Sequence, residues 1–180
     1  MALVTLQGSP VHTAGELPAV GRPCPPFTLL RPDLSTLSRE DLEGRRVVLN
    51  IFPSLDTDTC ARSVYAFDAR TGDAPNMTVV CVSADLPFAQ GRFAEAGELE
   101  QIAFASTFRH PEFGQDFGVA MVDGPLQGLL ARAVVVVDER GTVVHTELVS
   151  ELACEADYDA ALDRLRTHPP RPQEALPARG

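Results

Sequence analysis

The sequence predicts an α/β protein built on one mixed sheet with helices on its faces, and three observations carry that reading. Short, β-branched apolar runs at Val47–Phe52, Met77–Val82 and Ala131–Val137 have the length of buried strands. Segments of helical spacing lie between and after them, so strands and helices alternate through the chain. At 180 residues the length suits one domain that buries a core without disulfides or a structural metal.

The elements follow in order. Leu3–Leu6 and Val11–Thr13 alternate around the turn signal Gly8-Ser9 and predict a small N-terminal hairpin. Gly15–Pro26 is rich in Gly and Pro and reads as an extended connection, and Phe27–Leu30 as a short strand. Asp33–Glu43 is mixed and polar, ending at Gly44. Val47–Phe52 suits a central strand, stopped by Pro53. Asp56, Thr57 and Asp58 are helix-start residues ahead of a helix over Ala61–Arg70, with Val64, Phe67 and Asp68 at helical spacing. Met77–Val82 is the next buried strand, and Phe88–Ala96 a short helix that Gly91 weakens. Ile102–Ala105 is β-like, Pro111–Phe117 reads as one or two helical turns, and Ala133–Val137 with Thr142–Val149 form a hairpin around Glu139-Arg140-Gly141. Ala156–Arg166 carries Tyr158, Ala161, Leu162 and Leu165 on one face, an amphipathic last helix. The domain therefore spans 1–168, and a tail over 169–180 with four prolines is expected to be disordered. This order is that of a thioredoxin-like fold, a central mixed β-sheet flanked by helices, with an added N-terminal hairpin.

Composition narrows the function. With 44% hydrophobic and 22% charged residues the chain has the make-up of a soluble protein. A net charge of -10, with no Lys/Arg cluster, argues against nucleic acid or anionic lipid as the main partner. No basic, then apolar, N-terminal segment reads as a secretory signal and no run is long enough to span a bilayer, so a cytoplasmic location is expected. The cysteines stand at 24, 60, 81 and 154 without a C-x-x-C pair, and the histidines at 12, 110, 145 and 168 do not complete a zinc set. No metal or other cofactor is expected. Reactive or buried thiols remain.

Cys60 stands out among them. A cysteine at a helix start meets backbone N–H groups without helical partners and the positive end of the helix dipole, and both favour the thiolate, which is the nucleophilic form. On local context alone a small buried apolar residue is an equal reading, and the neighbouring carboxylates Asp56 and Asp58 work against a thiolate. A cation from elsewhere in the chain would help.

The stretch Pro53-Ser54-Leu55-Asp56-Thr57-Asp58-Thr59-Cys60 matches the pattern P-x-x-x-T-x-x-C of peroxiredoxin active sites. With LNIFP at 49–53, SADLPFAQ at 83–90, STFR at 106–109 and DGPLQGLLARAVVV at 123–136, the chain resembles the thiol peroxidase (Tpx) subfamily of the peroxiredoxins, from the N-terminal hairpin to the last helix. The resemblance implies that Cys60 attacks the peroxide and becomes a sulfenic acid. It further implies that Thr57 donates its hydroxyl to the peroxide or the sulfur, that Pro53 shields the sulfur from water, and that Arg132 stabilises the thiolate and the developing charge. Read by itself, Arg132 is a charge at the edge of an apolar strand, a solvated strand end.

Subfamily members resolve the sulfenic acid with a cysteine in the helix after SADLPFAQ, and this chain has Ala94 at that position. Three other thiols are available. Cys81, mid-strand, reads as a buried structural thiol. Cys24, between prolines, reads as more accessible and is a substitute candidate; Cys154, ahead of the last helix, reads as an exposed bystander. A cycle closed by an external thiol is ranked ahead of one using Cys24.

The resemblance thus implies a thiol-dependent peroxidase acting on hydrogen peroxide and organic hydroperoxides, recycled by thioredoxin or a similar thiol reductant. Leu55, Phe88 and Phe93 suit alkyl hydroperoxides, and a homodimer is implied. The alternative is a peroxide sensor or redox relay with little turnover. Thioredoxin-type dithiol exchange is disfavoured because the C-x-x-C is absent.

Overall fold

Each apolar run becomes a strand, and their pairing places the loop that leads to Cys60. In a computed structural model, which describes residues 1–71 and 76–167, the strands are β1 (Leu3–Leu6), β2 (Ser9–His12), β3 (Thr28–Leu30), β4 (Thr36–Ser38), β5 (Arg46–Ile51), β6 (Met77–Ser83), β7 (Ile102–Ser106), β8 (Ala133–Val137) and β9 (Val143–Leu148). The helices are α1 (Asp58–Thr71), α2 (Pro87–Ala96), α3 (Glu112–Asp116) and α4 (Tyr158–Thr167). One sheet has seven strands in the order β4-β3-β7-β6-β5-β8-β9, with β5, β6 and β7 parallel and the other pairings antiparallel. The predicted mixed sheet with flanking helices is the fold observed. The expected tail over 169–180 lies outside the described residues.

Alternation along the central strands splits the core into two layers. Leu49, Ile51, Val80, Val82, Ala133 and Val135 face Phe27, Phe113 and Phe117, whose rings pack together, with Phe113 and Phe117 stacked at 4.3 Å. Val48, Phe52, Val79, Cys81, Val134 and Val136 face α1 and α4. From α1 come Cys60, Val64 and Phe67; from α4 come Tyr158, Ala161, Leu162 and Leu165, the stripe the sequence predicts. Helix α4 starts two residues later than expected because Asp157 Oδ1 accepts the Ala160 amide at 2.9 Å and so caps it.

Other departures have local causes. The polar segment 33–43 contains β4 and a 3-10 turn at Glu40–Leu42, too short to leave a periodic pattern. Helix α2 runs through Gly91 because the glycine faces Pro32, where a Cβ would lie 3.3 Å from the proline Cβ. The first hairpin turns on Gln7 (φ 51) and Gly8 (φ 80), a pair of left-handed residues that matches the twist of the strands.

That hairpin lies outside the seven-stranded sheet yet is tied to the chain beyond β9. Val4 and Val11 pack with Met121, Ala131 and Leu152 in a third apolar cluster. Thr5 N donates to the Ser150 carbonyl at 2.7 Å and Leu152 N to the Thr5 carbonyl at 2.8 Å. The Glu151 carboxylate accepts from Thr5 Oγ1 (2.9 Å), Gln7 N (3.0 Å), Gly8 N (3.1 Å) and Ala153 N (3.1 Å).

These donors, the Ala153 and Gly8 amides foremost, hold the Glu151 carboxyl down at about 2 from an ordinary 4.5. A folded value below the unfolded one stabilises the folded form above the unfolded value, and that contribution is lost as pH falls towards the folded value. The tie between hairpin and 151–153 segment is therefore expected to hold at pH 5 and above and to weaken between about pH 4.5 and 2. Hydrogen exchange at the Gln7 and Gly8 amides, followed against pH with Glu151→Gln as reference, checks it: the wild-type protection should approach that of the variant in this window.

Candidate active site

The site forms where the parallel strands end. In open α/β sheets the loops at the carboxyl ends of the strands line a crevice, and here the crevice edge is the connection from β5 to α1. Phe52, Pro53 and Leu55 are buried in that connection, while Asp56, Thr57 and Asp58 are exposed. Cys60 follows on the first turn of α1 and is completely buried. The first helical bond closes from Ala61 N to the Thr57 carbonyl at 3.0 Å, so the backbone N–H groups of the turn that carries Cys60 precede the helical ladder. Asp56 and Asp58 lie in solvent, which screens their opposition to a negative sulfur.

Asp85, just beyond β6, pins the connection. Its carboxylate accepts from Ser54 Oγ at 2.7 Å, Leu55 N at 2.8 Å and Ser83 Oγ at 2.7 Å, and its backbone carbonyl accepts from Ser106 Oγ. The strand ends of β6 and β7 are thereby joined to the loop leading to Cys60. From below, Asn50 Nδ2 donates to Ser63 Oγ (3.1 Å) and contacts Cys81 Sγ (3.5 Å), and Ser63 Oγ donates to the Cys60 carbonyl at 2.7 Å. The backbone that carries the sulfur is held from two sides.

The cation comes from the residue before β8. Arg132 is 2% exposed; its Nη2 donates to Cys60 Sγ at 3.4 Å, and Nε and Nη2 donate to the Leu152 carbonyl at 3.2 and 3.1 Å. Reading it alone as a solvated strand end is therefore corrected. The antiparallel pairing of Ala133 with Ile51 brings the start of β8, and with it Arg132, beside the end of β5. Arg132 Nη1 is buried with no hydrogen-bond partner among the described residues. A guanidinium this enclosed, beside a sulfur on a helix start, can stabilise negative charge on that sulfur and on an oxygen bonded to it.

Thr57 sits at the helix start, but its hydroxyl donates to the Ser54 carbonyl at 3.1 Å. A hydroxyl has one proton to give, so while this bond stands the acceptor side of the oxygen is what remains free for a ligand. Pro53 is buried directly before Ser54.

The remaining thiols are spread over the molecule. Ala94, on α2, packs against the Cys60 layer. Cys24 is 4% exposed and burial pushes its thiol up to about 11, so the expected accessibility is also corrected. Its amide bonds the Gly141 carbonyl at 2.8 Å, which places it past the far end of β8, about 13 Å of strand from the Arg132 end, and in the opposite layer. Cys81 is buried mid-strand as expected, with its thiol pushed up to about 12 by burial. Cys154 is exposed, in the loop between β9 and α4. Among the described residues no group of three or more His, Cys, Asp or Glu could hold a metal, and no helix is long and apolar enough to cross a membrane.

Asn50, Ser63, Asp85 and Leu152 escaped the sequence reading. Only Asn50 leaves a signal there, as one polar residue inside a run otherwise suited to burial on both faces.

Arg132→Lys tests the cation. An ammonium keeps the charge but cannot span the sulfur and the Leu152 carbonyl with a planar fork. The rate of Cys60 oxidation, followed by stopped-flow under excess peroxide, is expected to fall by about 100-fold while the far-ultraviolet circular dichroism is unchanged.

Comparison with known proteins identifies the family. Residues 19–162 match the Redoxin family. The thiol peroxidase of Mycobacterium tuberculosis is 53% identical over 165 residues, covering 92% of this chain and 99% of that protein. The thiol peroxidase of Corynebacterium glutamicum is 48% identical over the same shares of the two chains. Among solved structures, a peroxiredoxin-like protein from Aquifex aeolicus superposes with a TM-score of 0.87 at 32% identity, covering 93% of this chain and 97% of that one. The chain therefore belongs to the Redoxin family and, within it, to the thiol peroxidases.

Proposed function

We propose that this thiol-dependent, peroxide-reducing enzyme works through Cys60, and the observation that carries the reading is the Arg132 guanidinium 3.4 Å from a sulfur on the first turn of a helix. The Cys60 thiolate attacks the terminal oxygen of a hydroperoxide. A sulfur–oxygen bond forms as the O–O bond breaks, the second oxygen leaves as alkoxide or hydroxide and takes a proton, and the sulfur is left as a sulfenic acid. Arg132 stabilises the charge that moves from sulfur to the departing oxygen, with Nη1 available to receive it. Thr57 accepts the hydroperoxide O–H, the role its geometry leaves open, and Pro53 excludes water from the sulfur.

Hydrogen peroxide and organic hydroperoxides are the substrates in this reading. Leu55 is buried in the loop, and Leu86 and Phe88, 47% and 66% exposed, offer apolar surface at the start of α2, which Asp85 ties to that loop. A dithiol such as thioredoxin returns the electrons, and a cytoplasmic homodimer completes the proposal, carried by the resemblance. Names of relatives at 48–53% identity weigh against a sensor with little turnover.

Two variants test the roles. Cys60→Ser is expected to abolish peroxide consumption with dithiothreitol as reductant. Thr57→Val should lower the rate of Cys60 oxidation by about 100-fold and Thr57→Ser should restore most of it, since only the hydroxyl is at issue. Peroxidase activity retained in Cys60→Ser would sink the reading.

A further inference from the structure

We propose that Cys154 is the resolving thiol, forming an intrachain disulfide with Cys60 once the latter is a sulfenic acid; this rests on Cys60 being the attacking sulfur. Three contacts lay the 151–155 segment against the turn that carries Cys60. Arg132 Nη2 touches both Cys60 Sγ (3.4 Å) and the Leu152 carbonyl (3.1 Å). Thr59 Oγ1 donates to the Ala153 carbonyl at 3.3 Å. Arg62 Nε donates to Glu155 Oε1 at 2.8 Å. Residues 152, 153 and 155 thus grip the site, and between them stands an exposed thiol.

Covalent geometry limits the separation. From Thr59 Oγ1 through the 3.3 Å bond to the peptide that links Ala153 to Cys154, the two cysteine Cα atoms are no more than about 12 Å apart. A disulfide needs them within about 7 Å, so closing any gap takes a shift of no more than about 5 Å. The elements at hand can supply it. Ala153, Cys154 and Glu155 are exposed between the buried anchors Leu152 and Ala156, and on the other side Asp56, Thr57 and Asp58 are exposed at the helix start, so uncoiling one helical turn disturbs no core packing except that of Cys60 itself.

The other thiols are worse placed. Cys24 lies in the opposite layer at the far end of the sheet. Cys81 is near, through Asn50, but is fully buried in a central strand, and burial drives its thiol up to about 12, away from the thiolate that must attack. Position 94 carries no sulfur. Arg132, 2% exposed and with Nη1 unpartnered among the described residues, bridges the Cys60 sulfur and the Leu152 carbonyl and so ties the two cysteine-bearing segments together.

The step balances. The Cys154 thiolate attacks the sulfenic sulfur of Cys60, the S–S bond forms as the S–O bond breaks, and hydroxide leaves as water with the proton from Cys154. The external dithiol then reduces the exposed disulfide to two thiols.

Reduced protein treated with an equimolar amount of hydrogen peroxide, without reductant, and digested under non-reducing conditions decides it by peptide mass mapping. The expected product is an intrachain Cys60–Cys154 disulfide. Cys154→Ser should lose that species and instead accumulate a dimedone-trappable sulfenic acid on Cys60, rising from trace to near-stoichiometric. A disulfide from Cys60 to Cys24 or Cys81, an interchain Cys60 disulfide, or a persistent sulfenic acid in the wild type would overturn the assignment while leaving Cys60 as the attacking sulfur. Oxidation that spares Cys60 would instead overturn the reading beneath it.

Discussion

Arg132 carries a charge into the interior, and much of the architecture around the site answers to that fact. A buried charge left without partners costs about 3–5 kcal/mol, so the guanidinium must be met on more than one side. The Leu152 carbonyl meets it with two bonds and the Cys60 sulfur with a third. The carbonyl is in turn held in place by the N-terminal hairpin, through the Leu152 amide on Thr5 and the Glu151 carboxylate on the turn amides. A hairpin outside the main sheet is thereby linked to the surroundings of Cys60. The chain from hairpin to carbonyl to arginine to sulfur is continuous.

The same interaction sets the buried Cys60 sulfur apart from the other buried thiols. Cys60 is completely buried, as is Cys81 in the same layer, whose thiol burial pushes up to about 12. What separates the two is their partners. Cys81 meets the Asn50 amide in mid-strand, whereas Cys60 has a helix start and a guanidinium. Asp85 and the Asn50–Ser63 pair hold the helix start in place, with the sulfur beside the cation.

Much of this was legible in the sequence, and what was not has a physical reason. The central strands and the two main helices were read from periodicity alone, because burial on both faces or on one stripe writes itself into residue type. Cys60 could be singled out from its helix start. Arg132 could not: its neighbours predict a strand end, and only the pairing of β8 with β5 carries it inward, a long-range fact that local pattern does not encode. The resemblance to thiol peroxidases supplied its role. Asp85 and Leu152 act through loop geometry and a backbone carbonyl, which no side-chain pattern reveals. Cys24 looked open because prolines flank it, yet its amide bonds to the β8–β9 turn and its side chain joins the core. Thr57 shows the finest gap, since which way a hydroxyl spends its proton is decided by a carbonyl three residues back.

The central claim, that Cys60 is the sulfur that meets peroxide, is tested most directly by asking which thiol is consumed first. Reduced protein is mixed with substoichiometric hydrogen peroxide, quenched with a thiol-alkylating reagent at successive short times, and each cysteine is mapped for label. The account predicts that loss of alkylatable Cys60 is the earliest event and that every oxidised molecule has lost it. Oxidised molecules in which Cys60 is still fully alkylated would contradict it.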